Sequence, residues 1–210
     1  MTNFPALIDG YHRFRASLWE QERSRWSTLA QGQSPKTLVI ACSDSRVDPA
    51  QLFDAPPGTI FSIRNVAALV PPCETGGGRH GVSAALEFGV TQLEVSDVVV
   101  MGHAACGGCQ ASLSKRFANA DPGDGRFIDD WIGLLAEARE AVVEKHGDGE
   151  QALRALEYAA VRVSLANLRT FPFVAEREAA GTLRLHGAYF AIADGEMRLL
   201  DEATGCFGPA

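Results

Sequence analysis

Cys42, His103 and Cys106 carry side chains that bind soft transition metals, and two thiolates with one imidazole suit Zn²⁺. Three protein ligands leave the fourth tetrahedral position open, which marks a catalytic rather than a structural zinc. Sixty-one positions separate Cys42 from His103, so a zinc-finger knuckle is excluded; Cys106 follows His103 after only three. The same residues also fit a buried core thiol and a hydrogen-bonded loop histidine, and their types alone do not separate the two. The context of the first cysteine, Cys42-Ser43-Asp44-Ser45-Arg46, favours the metal. A carboxylate beside a zinc either binds it or orients its water, and a bidentate pair with Arg46 would hold Asp44 ionised and off the metal. A solvated surface ion pair is the competing account. A Cys-x₅-Arg phosphate loop does not fit, because three residues separate Cys42 from Arg46.

Positioning these residues requires an open α/β sheet. Residues 37–42 form a continuous apolar run after Pro35, as expected of a strand covered on both faces. Further strands are predicted at 59–63 and at 97–101, the latter ending in Gly102-His103. Helical spacing of Val82, Ala85, Leu86 and Phe88 predicts a helix over 81–93 between them, hence a right-handed crossover and a parallel pair. Sites in such sheets form beyond the carboxyl ends of strands where the strand order reverses. If the first and third strands are neighbours, Cys42, His103 and Cys106 converge there. Residues 11–30 read as an amphipathic N-terminal helix, 127–145 and 150–169 as two further helices, and 182–201 as a C-terminal hairpin. The expectation is one α/β domain over 1–210: a mostly parallel central sheet flanked by helices, with 1–34 as an N-terminal helical arm.

Composition adds exclusions. The chain has 210 residues, 46% hydrophobic and 21% charged, which removes disordered and collagenous classes. A net charge of −7 argues against nucleic acid, whose phosphates need a cationic face. Five cysteines are too few for a secreted scaffold and odd in number, pointing to a reducing compartment or to metal ligation. No apolar stretch reaches the ~20 residues of a membrane span, and the first fifteen residues do not read as a signal peptide, so the expected location is cytosolic. Gly76 to Gly81 satisfies G-x-G-x-x-G but follows Pro71-Pro72 rather than a strand, so it reads as a loop.

Three strings together, Ala41-Cys-Ser-Asp-Ser-Arg-Val-Asp48, Arg64-Asn-Val-Ala67 and Gly102-His-Ala-Ala-Cys-Gly-Gly108, resemble the signatures of the β-class carbonic anhydrases, in order and at similar spacing. The resemblance runs from about Leu29 to Leu200-Asp201-Glu202. It implies that Cys42, His103 and Cys106 ligate Zn²⁺, that Asp44 and Arg46 form the catalytic dyad, and that the reaction is reversible hydration of CO₂. Gln33, Phe61 and Val66 look like the lining of the plant-type branch, while Val39 stands where the other branch has a Trp. Phe88 stands where many relatives have a Tyr, and Ala68 where an Asn is common. The resemblance also implies a homodimer or a dimer-based oligomer, with the N-terminal helix on a partner subunit and the site near the dimer interface.

On this reading zinc lowers the pKa of a bound water from 15.7 towards ~7. Phe61, Val66 and Phe88 would wall an apolar pocket for CO₂, and Gln33 and a backbone N–H near Gly107 would donate to the developing bicarbonate. His12, His80, His146 and His186 are candidate proton shuttles by type, none singled out by its context. Two alternatives stand beside it: hydrolysis of carbonyl sulfide or carbon disulfide on the same fold, and a non-catalytic zinc or thiol redox protein.

Overall fold

The computed structural model describes residues 3–76 and 78–210; Gly77, within the glycine-rich string, lies outside them. Contacts divide the chain into two compact units, Met1–Ser34 and Pro35–Ala210. In the first, the single helix expected over 11–30 is instead three: α1 (Phe4–Ala16), α2 (Leu18–Gln21) and α3 (Arg23–Leu29). Asn3 caps α1 through its side chain, and Pro5 is tolerated in the first turn, so the helix starts earlier than the apolar stripe indicates. At Ser17 the hydroxyl donates to the Arg13 carbonyl and the backbone leaves the helical region (φ −122°, ψ −82°), which ends the first segment.

The second unit carries a six-stranded sheet. Its first half contains β1 (Thr37–Cys42), α4 (Pro49–Leu52), β2 (Ile60–Asn65), α5 (Gly81–Glu87) continued by a π turn over Phe88–Gln92, and β3 (Asp97–His103). There follow α6 (Gly107–Leu113), α7 (Arg126–Ile132), α8 (Ala136–His146), α9 (Glu150–Leu168) and α10 (Pro172–Ala179). The chain closes with β4 (Arg184–Ala191), β5 (Glu196–Asp201) and β6 (Cys206–Pro209). Strand order is β2-β1-β3-β4-β5-β6. β1 pairs in parallel with both β2 and β3, β3 pairs in parallel with β4, and β5 and β6 are antiparallel additions.

Several boundaries differ from the sequence reading. β2 runs on to Asn65 and β3 to His103, so Arg64, Asn65 and His103 belong to strands rather than to the loops after them. The helix expected over 127–145 is broken by a 3₁₀ turn at Gly133–Leu135. The hairpin expected at 182–201 is present as β4 and β5, but β4 also joins the central sheet and β6 extends it. α10, started by Pro172, is an element the apolar pattern did not predict.

β1 is buried over its last five residues. Leu38 and Ile40 enter one apolar cluster with Val98, Val100, Leu86 and Leu165, and Val39 and Ala41 enter the other with Met101, Leu113 and Leu156. Helices therefore cover both faces, which is why this strand reads as an unbroken apolar run. Because the chain leaves β1 towards β2 and returns on its other side as β3, the order reverses between β1 and β3.

At the opposite, amino end of the sheet, Asp97 accepts from Arg184 Nε and Nη2 (2.8 and 2.9 Å) and from the Ser96 hydroxyl (2.7 Å), with His186 Nε2 at 2.9 Å. Arg184 beside it holds the Asp97 carboxyl well below the usual carboxylate range. A depressed pKa contributes stability that is present above the unfolded value and lost as pH falls through the folded one. Thermal unfolding against pH checks this: Asp97→Asn melts below the parent by a constant margin above about pH 5, and the margin closes below the ordinary Asp value near 3.9.

Candidate active site

Ala41 pairs with Met101, so Cys42 and His103, the last residues of β1 and β3, leave adjacent strands side by side. Ala105 then turns the chain in the left-handed region (φ +54°), and Cys106 becomes the residue capping α6. All three side chains are buried, and their ligand atoms lie within 4.8 Å of one another. His103 Nδ1 is 2.9 Å from the Ala104 carbonyl, which can only accept, so the proton sits on Nδ1. That leaves the Nε2 lone pair facing the two sulfurs; it is buried, with no hydrogen-bond partner among the described residues. An orphaned imidazole nitrogen beside two thiols is costly unless a cation completes the group, so the three residues fit a metal ion. In the metal-free chain the Cys106 thiol and burial push Cys42 up to about 12, and the Cys109 thiol, with burial, raises Cys106 to about 12.

Asp44 lies just past Cys42 and is held from three directions. Arg46 donates to it from Nε (2.9 Å), Nη2 (2.7 Å) and the backbone N–H (2.9 Å). This bidentate grip keeps the carboxyl well below its ordinary range. Arg46 Nη2 also reaches the Ala105 carbonyl at 3.1 Å, tying the dyad to the loop that carries Cys106.

The loop after β1 depends on residues the sequence reading left without a role. Arg64 donates to the carbonyls of Cys42 (2.9 Å) and Asp44 (2.6 Å) and to Asp48 (2.8 Å). Asn65 bonds both ways with Leu69 at 2.8 Å, closing a turn whose Ala67 and Ala68 both have positive φ. Ala68, at φ +55°, therefore occupies a conformation that Asn tolerates better than Ala. Glu157, from α9, accepts from the Cys106 N–H at 3.0 Å. Arg64 and Asn65 stand within a string already noticed, whereas nothing in the spacing links Glu157 to a loop 51 positions away.

The proposed lining residues divide. Val66 follows Asn65 directly, its carbonyl is held by Trp131 Nε1 at 2.8 Å, and Gly107 opens α6 beside Cys106. Phe61 pairs with Leu38, four positions back from the Cys42 level, or about 13 Å along the strand. Phe88 packs on Phe61 with ring centroids 5.9 Å apart and is 46% exposed. Within one chain these two rings are not brought to the ligands. Gln33 belongs to the N-terminal unit, as does His12. His186 pairs with Val99 and reaches Asp97, so it lies away from the ligand end of β3. His80 is near Glu74, and His146 ends α8.

The two glycines after Cys106 differ in their demands. A Cβ at Gly108 would meet Val66 Cγ1 at 2.7 Å and Ala67 Cβ at 3.0 Å, whereas one at Gly107 would meet nothing within 4 Å. Ala67, itself at φ +64°, has little freedom to yield. Gly108→Ala is expected to lower the unfolding free energy by about 1–3 kcal/mol through overpacking, and Gly107→Ala to leave it nearly unchanged; urea denaturation compares them.

A Cys-His-Cys trio able to hold a metal ion, at the reversal point of a parallel sheet and with a clamped Asp-Arg pair beside it, is the arrangement expected of a metalloenzyme. The chain matches the family described as Carbonic anhydrase over residues 37–197, and it belongs to that family, in its β class. It is 35% identical over 196 residues to β carbonic anhydrase 3 of Arabidopsis thaliana, spanning 92% of this chain and 75% of that protein. It is 34% identical to the mitochondrial β carbonic anhydrase 6 of the same plant, over 92% of this chain and 67% of the other. Among solved structures, the β-carbonic anhydrase CcaA superposes with a TM-score of 0.90 at 30% identity, covering all of both chains. A tetrameric β-carbonic anhydrase of Sordaria macrospora superposes at 0.80 with 27% identity, over 98% of each chain.

Proposed function

We propose that the chain holds Zn²⁺ on Cys42, His103 and Cys106 and catalyses the reversible hydration of CO₂ to bicarbonate and a proton, with Asp44 and Arg46 as the catalytic pair. The observation that carries this reading is the unpartnered, buried Nε2 of His103 facing two thiols, with a salt-bridged carboxylate next to it. When bound, zinc supplies Lewis-acid activation of a water, so that a nucleophile exists at neutral pH.

The chain's own residues do the rest. Arg46 keeps Asp44 ionised and fixes its orientation, so a carboxylate lone pair can accept a hydrogen bond from the attacking oxygen's O–H and aim that oxygen's lone pair at CO₂. Arg64 secures the backbone on both sides of Ser43, which sets the distance between Cys42 and Asp44. Val66 forms an apolar wall, and the Gly107 N–H donates to the bicarbonate oxygen as charge develops. Gln33 is proposed as a second donor, with Phe61 and Phe88 as further walls.

Since those two rings stand about four residues back along the sheet in their own chain, their part in the pocket calls for a second copy. The proposal therefore includes a homodimer at least, with 1–34 as an arm of a single catalytic domain; the Sordaria macrospora relative is tetrameric. Light scattering after size exclusion checks this, and a monomer at micromolar concentration overturns it. No helix among the described residues is long and apolar enough to cross a membrane. A cytosolic location completes the proposal and is checked by cell fractionation.

The central experiment measures zinc content and stopped-flow CO₂ hydration against pH, beside a sulfide-release assay with carbonyl sulfide. Zinc at one per chain with fast hydration supports the proposal. Sulfide release without hydration replaces the substrate, and zinc without either activity leaves a non-catalytic protein.

A further inference from the structure

Glu157 is a carboxylate 3% exposed in the middle of α9, and among the described residues no Lys or Arg lies within ion-pair distance of it. Burying such a group is expensive, and an apolar side chain of similar volume would serve packing better. Its two oxygens have specific partners. Oε1 accepts from the Cys106 N–H at 3.0 Å, and Oε2 accepts from the hydroxyl of fully buried Tyr189 at 2.8 Å. Tyr189 is itself locked, packing edge-on against Tyr158 with centroids 4.6 Å apart. α9 comes this near because β3 has Gly102 at the crossing, where a Cβ would meet Val161 Cγ2 at 2.8 Å.

The Ala105–Cys106 peptide is thereby gripped at both ends. Its carbonyl accepts from Arg46 at 3.1 Å, and its N–H donates to Glu157 at 3.0 Å. Ala105 sits at φ +54°, a conformation an Ala leaves readily unless the surroundings hold it. Rotating this peptide would swing Cys106 Sγ away from Cys42 and His103. We propose that Glu157 is a positioning residue for the metal centre: with Tyr189 behind it and Arg46 opposite, it fixes the Ala105–Cys106 peptide and so sets the direction of the Cys106 sulfur. The chain's metal affinity then depends on the reach of an acceptor from α9 rather than on that acceptor's charge.

Two conservative variants separate reach from charge. Glu157→Gln keeps an acceptor for the Cys106 N–H and can donate to the Tyr189 oxygen, but has no charge; Glu157→Asp keeps the charge and withdraws it by one methylene. Zinc affinity is measured by competition with a chromophoric chelator, and the cobalt(II) form is read by its thiolate-to-metal absorption, which reports sulfur geometry independently of turnover. The expected result is a Glu157→Gln protein with parent-like affinity and cobalt spectrum, and a Glu157→Asp protein about 10- to 100-fold weaker with an altered spectrum. Parent-like behaviour of Glu157→Asp overturns the proposal, as does a Glu157→Gln protein as weak as Glu157→Asp. The inference rests on Cys42, His103 and Cys106 being the metal ligands. A parent chain that binds no zinc refutes that assignment and this one together, whereas equal affinity in parent and Glu157→Asp refutes this one alone.

Discussion

In Asp44→Ala, zinc stays at one per chain while kcat/KM for CO₂ falls by about 10²- to 10⁴-fold, the range for losing a positioned group that handles the reacting proton. The metal is retained because Asp44 is not among the three ligand side chains, and Cys42 is held by β1 and by the Arg64 bond to its carbonyl. Activity is lost because, among the described residues, no other salt-bridged carboxylate stands beside Cys42, His103 and Cys106. Full activity in the variant removes Asp44 from the mechanism.

Arg46→Ala tests the same pair through pH. In the parent, Arg46 depresses the Asp44 pKa, so the ionised form persists as pH falls and is lost only below the ordinary carboxylate range near 3.9. Without the Arg46 side chain the largest depressing influence is gone while burial and the residue-46 backbone N–H remain, so the carboxyl rises from its depressed value and the acid limit of activity moves to higher pH. Relative to the parent, Arg46→Ala should lose more activity at pH 5 than at pH 8. An unchanged acid limb would show that Arg46 does not control the protonation of Asp44.

His103→Ala is expected to lose zinc and, with it, hydration down to the background rate. Two thiols alone leave a divalent cation short of tetrahedral coordination, and the substitution opens a cavity where the ring was 1% exposed. Metal analysis after dialysis against a weak chelator checks the loss; tight zinc in His103→Ala would remove His103 from the ligand set. The parent's affinity should itself be steeply pH-dependent. Both thiols stand at about 12 in the metal-free chain, so each gives up a proton on binding and affinity falls by about tenfold per thiol, or ~100-fold per unit decrease in pH. A shallower slope would mean that one thiol is already ionised or is not a ligand.

Much of the candidate site could be read from the chain because its parts are local. Cys42 ends an apolar run and His103 ends another, and an apolar run bounded by a turn marks a covered strand without reference to anything distant. Asp44 and Arg46 are two positions apart, so their pairing needs no more than a turn. The strand, helix, strand order from β2 to β3 predicts a parallel crossover, and the two strands do run parallel; they are not the adjacent pair that order suggested, because β1 lies between them. Reading failed where the deciding contact was remote or where side chains competed with the backbone. The N-terminal helix breaks at Ser17 because a hydroxyl takes a carbonyl, although the apolar stripe continues past it. β6 earns its place only by pairing with β5, and four residues carry too little pattern to announce a strand.

The residue types and their order thus determined the chemistry on offer: two thiols and an imidazole for a soft metal, and a carboxylate with its own guanidinium. Only the tertiary structure decided that β1 lies between β2 and β3, because strand order follows from how helices pack on two faces rather than from any one segment. That order sets Cys42 beside His103. It also brings α9 against Gly102, close enough for Glu157 to reach Cys106, and leaves Phe61 and Phe88 below the level of Cys42 and His103 in their own chain.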